Sequence, residues 1–419
     1  MSALSRSWVP GANDPEGDFP LNNLPCGVFS PIEHPNDPRC GVAIGEHILD
    51  LRRLEADTRL SLGPAHLFQA PRWNGLMTAG PDVWRSLREK LTGLLSENSG
   101  HEERLTSYLT PIANCALHLP FEVTEYTDFY ASKHHASNVG TMFRGPDNAL
   151  PPNWLHMPIG YNGRASSVVV SGTEVQRPWG QLKGPDDPAP RFAPSERFDI
   201  ELELGAVVGT PSEGPLTVAE AERSIFGYVL LNDWSARDIQ AWEYQPLGPF
   251  QGKATATTIS PWIVTAEALR PFRVTLPERE KPLLAHLDDP DTKGLDIELL
   301  VELQPSTAAQ ATTIARTNAR ELYYSAAQQL AHHASSGCPM RTGDLLGSGT
   351  ISGAEPGSRG SLLELSWGGR DPFTLITGER RNFLEDGDKV ALRGHAAGEG
   401  FRIGFGSCEG TIVPARPYA

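Results

Sequence analysis

The chain is poor in cysteine: five in 419 residues, at Cys26, Cys40, Cys115, Cys338 and Cys408. They are odd in number, far apart and never spaced C-x-x-C, which argues against a disulfide framework and against a cysteine zinc site. No run of about 18 apolar residues occurs, so no membrane-spanning helix is expected. Met1 to Asp18 holds no apolar core of signal-peptide length, and a soluble protein of the reducing cytoplasm is the expectation. Positive charge is also short. Lys and Arg number 36 against 51 Asp and Glu, a net charge of −15. That balance disfavours nucleic acid and anionic membrane surfaces, which are held by clustered Lys and Arg. A small anionic substrate stays open to it, because a local site can be positive on an acidic protein. Several catalytic signatures are missing as well. There is no H-E-x-x-H and no G-x-S-x-G, and Ser166 and Ser348 sit in Gly- or Ser-rich turns without a nucleophile elbow. Gly347-Ser-Gly349 lacks the rest of a phosphate loop. Lys253 lies in Gly252-Lys-Ala-Thr-Ala-Thr-Thr258, which lacks the first glycine of a Walker loop.

What is present is ordinary globular material, 39% hydrophobic and 21% charged, with 41 Gly and 36 Pro. Average usage is about 7% Gly and about 5% Pro, so the excess, spread along the chain, predicts many short strands and turns. Residues 1–120 read as one small β-rich unit. Val42 to Leu51 predicts a hairpin across Gly45-Glu-His47. Pro81 to Leu95 predicts a helix, with Val83, Leu87, Leu91, Leu94 and Leu95 near 3.6 spacing. The character changes after Pro120, and residues 121–419 read as a second unit with dense polar and aromatic blocks. Gln181 to Ser195 and Leu269 to Gly294 read as long loops. Two helices are predicted there: one after Thr217, with Glu220 completing a capping box, and one over Arg320 to Ser335, stopped by Gly337.

Arg197-Phe-Asp-Ile-Glu-Leu-Glu-Leu-Gly205 alternates strictly. Phe198, Ile200, Leu202 and Leu204 share one face of the expected strand, and Asp199, Glu201 and Glu203 the other. Glu201 and Glu203 are then neighbours, and such like charges repel unless water or a cation relieves them. Taken alone, the pattern is that of a solvated outer face. The next acid breaks that reading. Phe226 to Asn232 predicts a buried strand running straight into Asp233, and an acid there serves a site more readily than a surface. Ser235, with Asp238 three residues on, is placed to cap a helix through Trp242 that carries Arg237 and Gln240 on one face. Asp128, among Tyr126, Phe129 and Tyr130, is a fourth candidate. Carboxylate clusters suit hard cations such as Ca²⁺ or Mg²⁺ rather than zinc. Spacing leaves open whether the four converge. Of the twelve histidines, His134 and His135 point about 100° apart on a helix, so one of them at most faces a given site. His332 and His333 suit a helix end.

Together the blocks resemble the fumarylacetoacetase family, in order, from about residue 121 to 415. They include Tyr126-Thr-Asp-Phe-Tyr130, His135-Ala136, Asn138-Val-Gly140, Met142-Phe-Arg144, Asn153-Trp-Leu-His156 and Gly163-Arg-Ala-Ser-Ser167. Further on stand Asp199-Ile-Glu-Leu-Glu203, Asn232-Asp-Trp-Ser-Ala-Arg-Asp-Ile-Gln240, Trp242-Glu-Tyr244, Pro246-Leu-Gly-Pro-Phe250 and Thr257-Thr-Ile-Ser-Pro-Trp262. The last are Gly343-Asp-Leu-Leu346, Ser348-Gly-Thr-Ile-Ser-Gly353, Leu363-Glu-Leu-Ser-Trp367 and Gly404-Phe-Gly406. The resemblance implies a mainly β, α+β protein: a small N-terminal SH3-like barrel, then a mixed β-sandwich roll, working as a cytoplasmic homodimer. It implies metal-dependent hydrolysis of a carbon–carbon bond in 4-fumarylacetoacetate, a dianionic diketo acid, giving fumarate and acetoacetate in the last step of tyrosine and phenylalanine breakdown.

By the same resemblance Asp128, Glu201, Glu203 and Asp233 hold a divalent cation, Ca²⁺ or Mg²⁺, with no organic cofactor. Lys253 and Thr257, with Asp233, mark a second metal position. His135 is the general base and Glu364 the acid that orients it. Arg237, Gln240 and Lys253 stabilise an oxyanion. Tyr130, Arg144, Tyr161, Gln240, Tyr244 and Thr350 contact substrate. Ala256 stands where the family usually has glycine, Asn162 where a histidine is common, and His134 where glutamine is. An acylpyruvate or other 1,3-diketo-acid hydrolase, decarboxylase or isomerase is the alternative, and a non-catalytic metal-stabilised scaffold a more distant one.

Overall fold

A computed structural model describes residues 3–63 and 66–418. Met1, Ser2, Pro64, Ala65 and Ala419 lie outside them, including the terminal residues of the two predicted units. The protein is a mixed α/β structure built mostly of sheet. Its main sheet crosses the boundary between the units. In order it runs Leu109–Pro111, His47–Asp50, Arg39–Ile44, Cys26–Pro31, Trp262–Thr265, Ile225–Asp233, Leu202–Val208, Leu345–Gly347, Tyr126–Phe129 and Gly160–Asn162. Thr257–Ile259 pairs with Ile225–Asp233 as a branch, and with Val168–Val170 in parallel. A second sheet of five strands has the order Thr312–Asn318, Glu298–Gln304, Lys389–Ala397, Arg402–Val413, Glu174–Gln176.

Packing explains why Ile225–Asp233 is apolar almost throughout. Alternate residues leave opposite faces of a strand. Leu230 joins Val264, Leu299, Val301, Val390, Leu392, Ile403 and Phe405 in the core between the two sheets. Its neighbours Val229 and Leu231 join the other core, with Leu49, Leu76, Leu87 and Leu91 of the N-terminal region. A strand covered on both faces needs apolar side chains on both.

The hairpin at Gly45 and the helix Pro81–Leu95 form as their sequences predict, the helix burying Leu87, Leu91 and Leu95. Thr217 and Glu220 make both bonds of a capping box at the helix Val218–Ser224. Five expectations are corrected. The stretch Phe198 to Leu204 is not one strand. Phe198–Asp199 pairs with Ser235–Ala236, and pairing with Ile225–Asp233 resumes only at Leu202. Its acidic face is not solvated: Asp199, Glu201 and Glu203 are buried. Gln181 to Ser195 is not all loop, because Trp179–Leu182 and Arg191–Pro194 form a hairpin. The last long helix is Ala326–Ala334 and starts later than predicted. Ser325 and Gln328 make a capping box there, so the chain enters the helix six residues after Arg320. Ser235 caps nothing, since it is held in the strand pair with Asp199; Ala236 is the cap residue of Arg237–Glu243, and Asp238 instead accepts from Ser195 Oγ and the Glu196 N–H.

The two units meet where Gly27 pairs with Trp262. A Cβ added at Gly27 would lie 2.4 Å from the Trp262 ring. Gly27→Ala is therefore expected to cost about 1–3 kcal/mol through overpacking. Gly214→Ala, where an added Cβ meets nothing within 4 Å, is expected to leave the denaturation midpoint unchanged. Equal midpoints for both variants would show that this junction has slack.

Candidate active site

Strand ends bring the four predicted acids together. Asp128 stands in Tyr126–Phe129, Glu203 in Leu202–Val208 and Asp233 at the end of Ile225–Asp233, while Glu201 occupies the break just before Leu202. That break is held by Asn232, whose Oδ1 accepts the Glu201 N–H at 3.1 Å. All four residues are buried, and one carboxylate oxygen from each lies within 4.8 Å of the others. Glycine makes the room. A Cβ at Gly347 would sit 2.8 Å from both Asp128 Oδ1 and Glu203 Oε2. Gly349, at φ +74°, donates its N–H to Glu203 Oε2 at 3.0 Å.

Two cations face this cluster. Lys253 Nζ bonds Glu201 and, at 2.9 Å, Asp233 Oδ2. Arg237 pairs through Nη1 with Glu201 Oε1 at 2.8 Å and through Nε with Asp199 Oδ2 at 2.8 Å. Thr257 Oγ1 and Tyr161 Oη each donate to Asp233 at 2.9 Å. The acids divide accordingly. Burial pushes Glu201 up, but the charges of Lys253 and Arg237 outweigh it and hold this carboxyl below the usual range. Burial and the neighbouring Asp233 push Asp128 well up; burial and Asp128 do the same to Glu203. Asp128 Oδ1 and Glu203 Oε1 are buried without a hydrogen-bond partner. Unpaired buried carboxylate oxygens are costly, and an all-oxygen set of this kind fits a hard divalent cation. The residues present therefore fit the metal that the sequence predicts. Ala256 is no obstacle through its backbone, because the positive-φ non-glycine residues among those described are Leu24, Thr58 and Trp367.

The histidine pair resolves as helical geometry demands. On the helix Lys133–Arg144, His135 is buried and His134 half-buried, 3.4 Å from Glu321. His135 Nδ1 lies 2.6 Å from Glu364 Oε2. Glu364 also accepts from Asn138 Nδ2, Ser352 Oγ and Ser361 Oγ, each at 2.9 Å. Burial raises its pKa, but the His135 charge and these bonds outweigh that and lower it. Nδ1 is thus committed, and Nε2 is left for chemistry.

His135, Glu201, Arg237, Gln240 and Lys253 line one cavity of about 380 Å³, along with Asp128, Tyr130, Arg144, Tyr161, Tyr244 and Thr350. Its apolar wall includes Val139, Ile159 and Leu363. Donors remain free inside it. Arg237 Nη2 is buried and unpartnered, and so is Thr350 Oγ1. Gln240 gives its Oε1 to Arg237, leaving its amide NH₂. Lys253 has three N–H groups and two known partners. Arg144 lines the cavity, but its guanidinium bonds the Asn148 and Ala149 carbonyls.

Three supporting residues carry no role in the sequence reading. Asp199 was placed on the acidic face, yet it stays outside the quartet. It accepts the N–H groups of Leu362 and Leu363 as well as Arg237, so it ties the arginine to the turn that bears Glu364. Ser361 stands three residues before Glu364, which is capping-box spacing and a readable signal. Glu243 accepts three successive N–H groups, from Phe250, Gln251 and Gly252, and so fixes the loop leading to Lys253. No local pattern marks that role.

Residues 124–413 match the family model "Fumarylacetoacetate (FAA) hydrolase C-terminal", and residues 22–120 match "Fumarylacetoacetase N-terminal". The chain is 47% identical to fumarylacetoacetase of Rattus norvegicus over 98% of its own length and 99% of that protein. It is 47% identical to that of Homo sapiens, over 98% and 99%, and 46% to that of Arabidopsis thaliana, over 99% and 100%. Among solved structures it resembles a fumarylacetoacetate hydrolase from psychrophilic Exiguobacterium antarcticum, with TM-score 0.52, 16% identity, and coverage of 94% of this chain and 100% of that one. A 5-carboxymethyl-2-hydroxymuconate delta-isomerase from Mycobacterium smegmatis has TM-score 0.50, 16% identity, and coverage of 93% and 100%. At such identity these two share the fold.

Asp199→Ala leaves Arg237 short of a buried partner and three N–H groups, of Ile200, Leu362 and Leu363, without their acceptor. A loss of about 3–5 kcal/mol in denaturant unfolding is expected, as for other broken buried ion pairs. A loss below about 1 kcal/mol would mean that water replaces Asp199 without cost.

Proposed function

The chain belongs to the fumarylacetoacetate hydrolase family, and from that premise we propose that it hydrolyses 4-fumarylacetoacetate to fumarate and acetoacetate. One observation carries the reading: a histidine locked by a buried carboxylate faces the same cavity as free cationic donors and as Asp128 and Glu201, two members of a cluster of four acids. A binding scaffold has no use for that conjunction. Near-full-length identity to fumarylacetoacetases supports this substrate over other diketo acids.

His135 takes the proton of a water molecule at Nε2. Glu364 holds the Nδ1 proton, fixes the tautomer and stabilises the imidazolium that results. The water oxygen bonds to the carbonyl carbon on the fumaryl side. Arg237 Nη2, the Gln240 amide and the third N–H of Lys253 supply donors for the oxyanion that forms. Collapse of the adduct breaks the carbon–carbon bond. The electron pair leaves with the acetoacetate fragment, and the proton on His135 is available to its carbon. Tyr130, Tyr161, Tyr244 and Thr350 orient the diketo chain, and Arg144 meets a terminal carboxylate. Asp128, Glu201, Glu203 and Asp233 would hold Ca²⁺ or Mg²⁺. Such a cation supplies positive charge against the anion that develops on the departing diketo oxygens. Lys253, Thr257 and Asp233 form the second metal position in this reading. A division at residue 120, a homodimer as the working unit and the cytoplasm as its place rest on the family resemblance.

The first test follows the loss of ultraviolet absorbance of fumarylacetoacetate with purified protein. Turnover is expected to stop on chelation and return with Ca²⁺ or Mg²⁺. Absence of turnover by folded, metal-loaded protein would transfer the assignment to another diketo acid, and a panel of acylpyruvates would find it. His135→Ala is expected to lower kcat by about 10²–10⁴-fold, the usual worth of a general base, while substrate still binds. An unchanged rate would remove His135 from that role. Glu201→Ala is expected to lower bound metal and activity together; full metal stoichiometry in the variant would refute the ligand set.

A further inference from the structure

A second cavity, of about 340 Å³, lies between the helix Pro81–Leu95 and the C-terminal helices Val218–Ser224 and Ala266–Leu269, and shares no lining residue with the first. This is the volume of a small-ligand site. Leu24, Leu76, Trp84, Leu87, Leu91 and Phe226 give it an apolar wall. Its charged lining is Arg85, Arg88, Arg223, Arg270 and Arg273 against Glu222 and Glu267.

Those acids are spent. Glu222 pairs with Arg273, and Glu267 with Arg270 at 3.1 Å. Among the described residues Arg85 pairs with Asp82 alone, which is almost fully exposed, and such pairs contribute little. Arg88 donates to the backbone carbonyls of Asn22 and Asn23 and has no carboxylate partner among the described residues. Burial lowers its pKa, although the charge of Glu267 opposes that shift. Arg223 has neither an ion pair nor a hydrogen bond among the described residues. On a chain of net charge −15, an apolar hollow lined by five arginines and two glutamates is a local reversal of sign. Low-dielectric walls focus such a field.

We infer that this cavity binds an organic monoanion, with its carboxylate on Arg88 and Arg223 and its apolar body against Leu76, Trp84, Leu87 and Phe226. The guanidinium fork matches a carboxylate in two places. The wall excludes a fully hydrated ion, so the ligand has both a charged head and an apolar body. The other cavity has a different chemistry, with Asp128 and Glu201 of the acid cluster in its lining.

Calorimetric titration of the full chain with octanoate tests this, with 1-octanol as the uncharged analogue. Two variants separate the terms. Arg223→Gln removes one charge at an exposed site. Ala219→Phe fills the mouth from the exposed side of Val218–Ser224 and changes no charge. Both are expected to melt like the parent and to turn over fumarylacetoacetate at its rate. Saturable one-to-one binding of octanoate is expected, weakened at least about tenfold in each variant and by loss of the carboxylate, and undisturbed by saturating fumarate. No binding, equal affinity for 1-octanol, parental affinity in either variant, or displacement by fumarate would each overturn the proposal.

Discussion

Four carboxylates buried within reach of one another set the terms for the rest of this structure. Two unit charges at 4 Å repel by about 4 kcal/mol even at an effective dielectric of 20, and the cluster multiplies that several-fold. The fold supplies two cations, Lys253 and Arg237, and both lean toward Glu201. Asp233 shares Lys253 and gains two hydroxyl donors, from Thr257 and Tyr161. Burial still raises the pKa of Asp233; Asp128 and Glu203 receive less, and theirs stand well above the usual range. The protein's own charges therefore satisfy one side of the cluster and leave the other short of positive charge. A site that neutralised all four acids internally would have nothing to offer a divalent cation. The imbalance is what suits the cluster to a divalent cation better than to a structural ion-pair network.

The same economy of charge positions the groups around it. Asp199 stands one pleat from the quartet in sequence but points to other work. Its two oxygens bond Arg237 on one side and the Leu362 and Leu363 N–H groups on the other. The turn it grips carries Glu364, which in turn grips His135. One buried carboxylate thus connects Arg237 to the residue that grips His135. Arg237 spends Nε and Nη1 on these anions and keeps Nη2 free for the cavity. A guanidinium can do this because its five N–H groups diverge in a plane; an ammonium would be consumed by the same partners.

Alternation between Phe198 and Leu204 was readable in the sequence, and so were the faces it implies. The environment of the acidic face was not. A strand with acids on one side is a surface strand unless something encloses it, and what meets these acids, Arg237 and Lys253 at Glu201 and Gly347 at Glu203, is far away in sequence. Asp233 gave a better signal because a buried strand fixed its surroundings locally. The helix Pro81–Leu95 was legible to its ends, since its apolar spacing and proline are local facts. The helix at Ala326 began later than its composition implied, because Ser325 and Gln328 close a capping box there. The roles of Asp199 and Glu243 lie in bonds to backbone amides, which carry no residue identity and so leave no trace in composition or periodicity.

The strand Ile225–Asp233 runs from one cavity to the acid cluster beside the other. Ile225 and Phe226 line the arginine-rimmed one, and Asp233 enters the carboxylate cluster at the far end. Cores on both faces hold it along its length. Close-packed interiors resist sliding by fractions of an ångström, because every methyl group already has neighbours. An anion seated at Phe226 would therefore add to the stability of the folded chain by mass action, since the unfolded chain has no such cavity. It would not draw Asp233 out of place, because moving the strand means repacking two cores at once. The two cavities are joined by a rod rather than a lever, and their ligands are free to differ in chemistry: a cation and a diketo acid at one end, an amphipathic anion at the other.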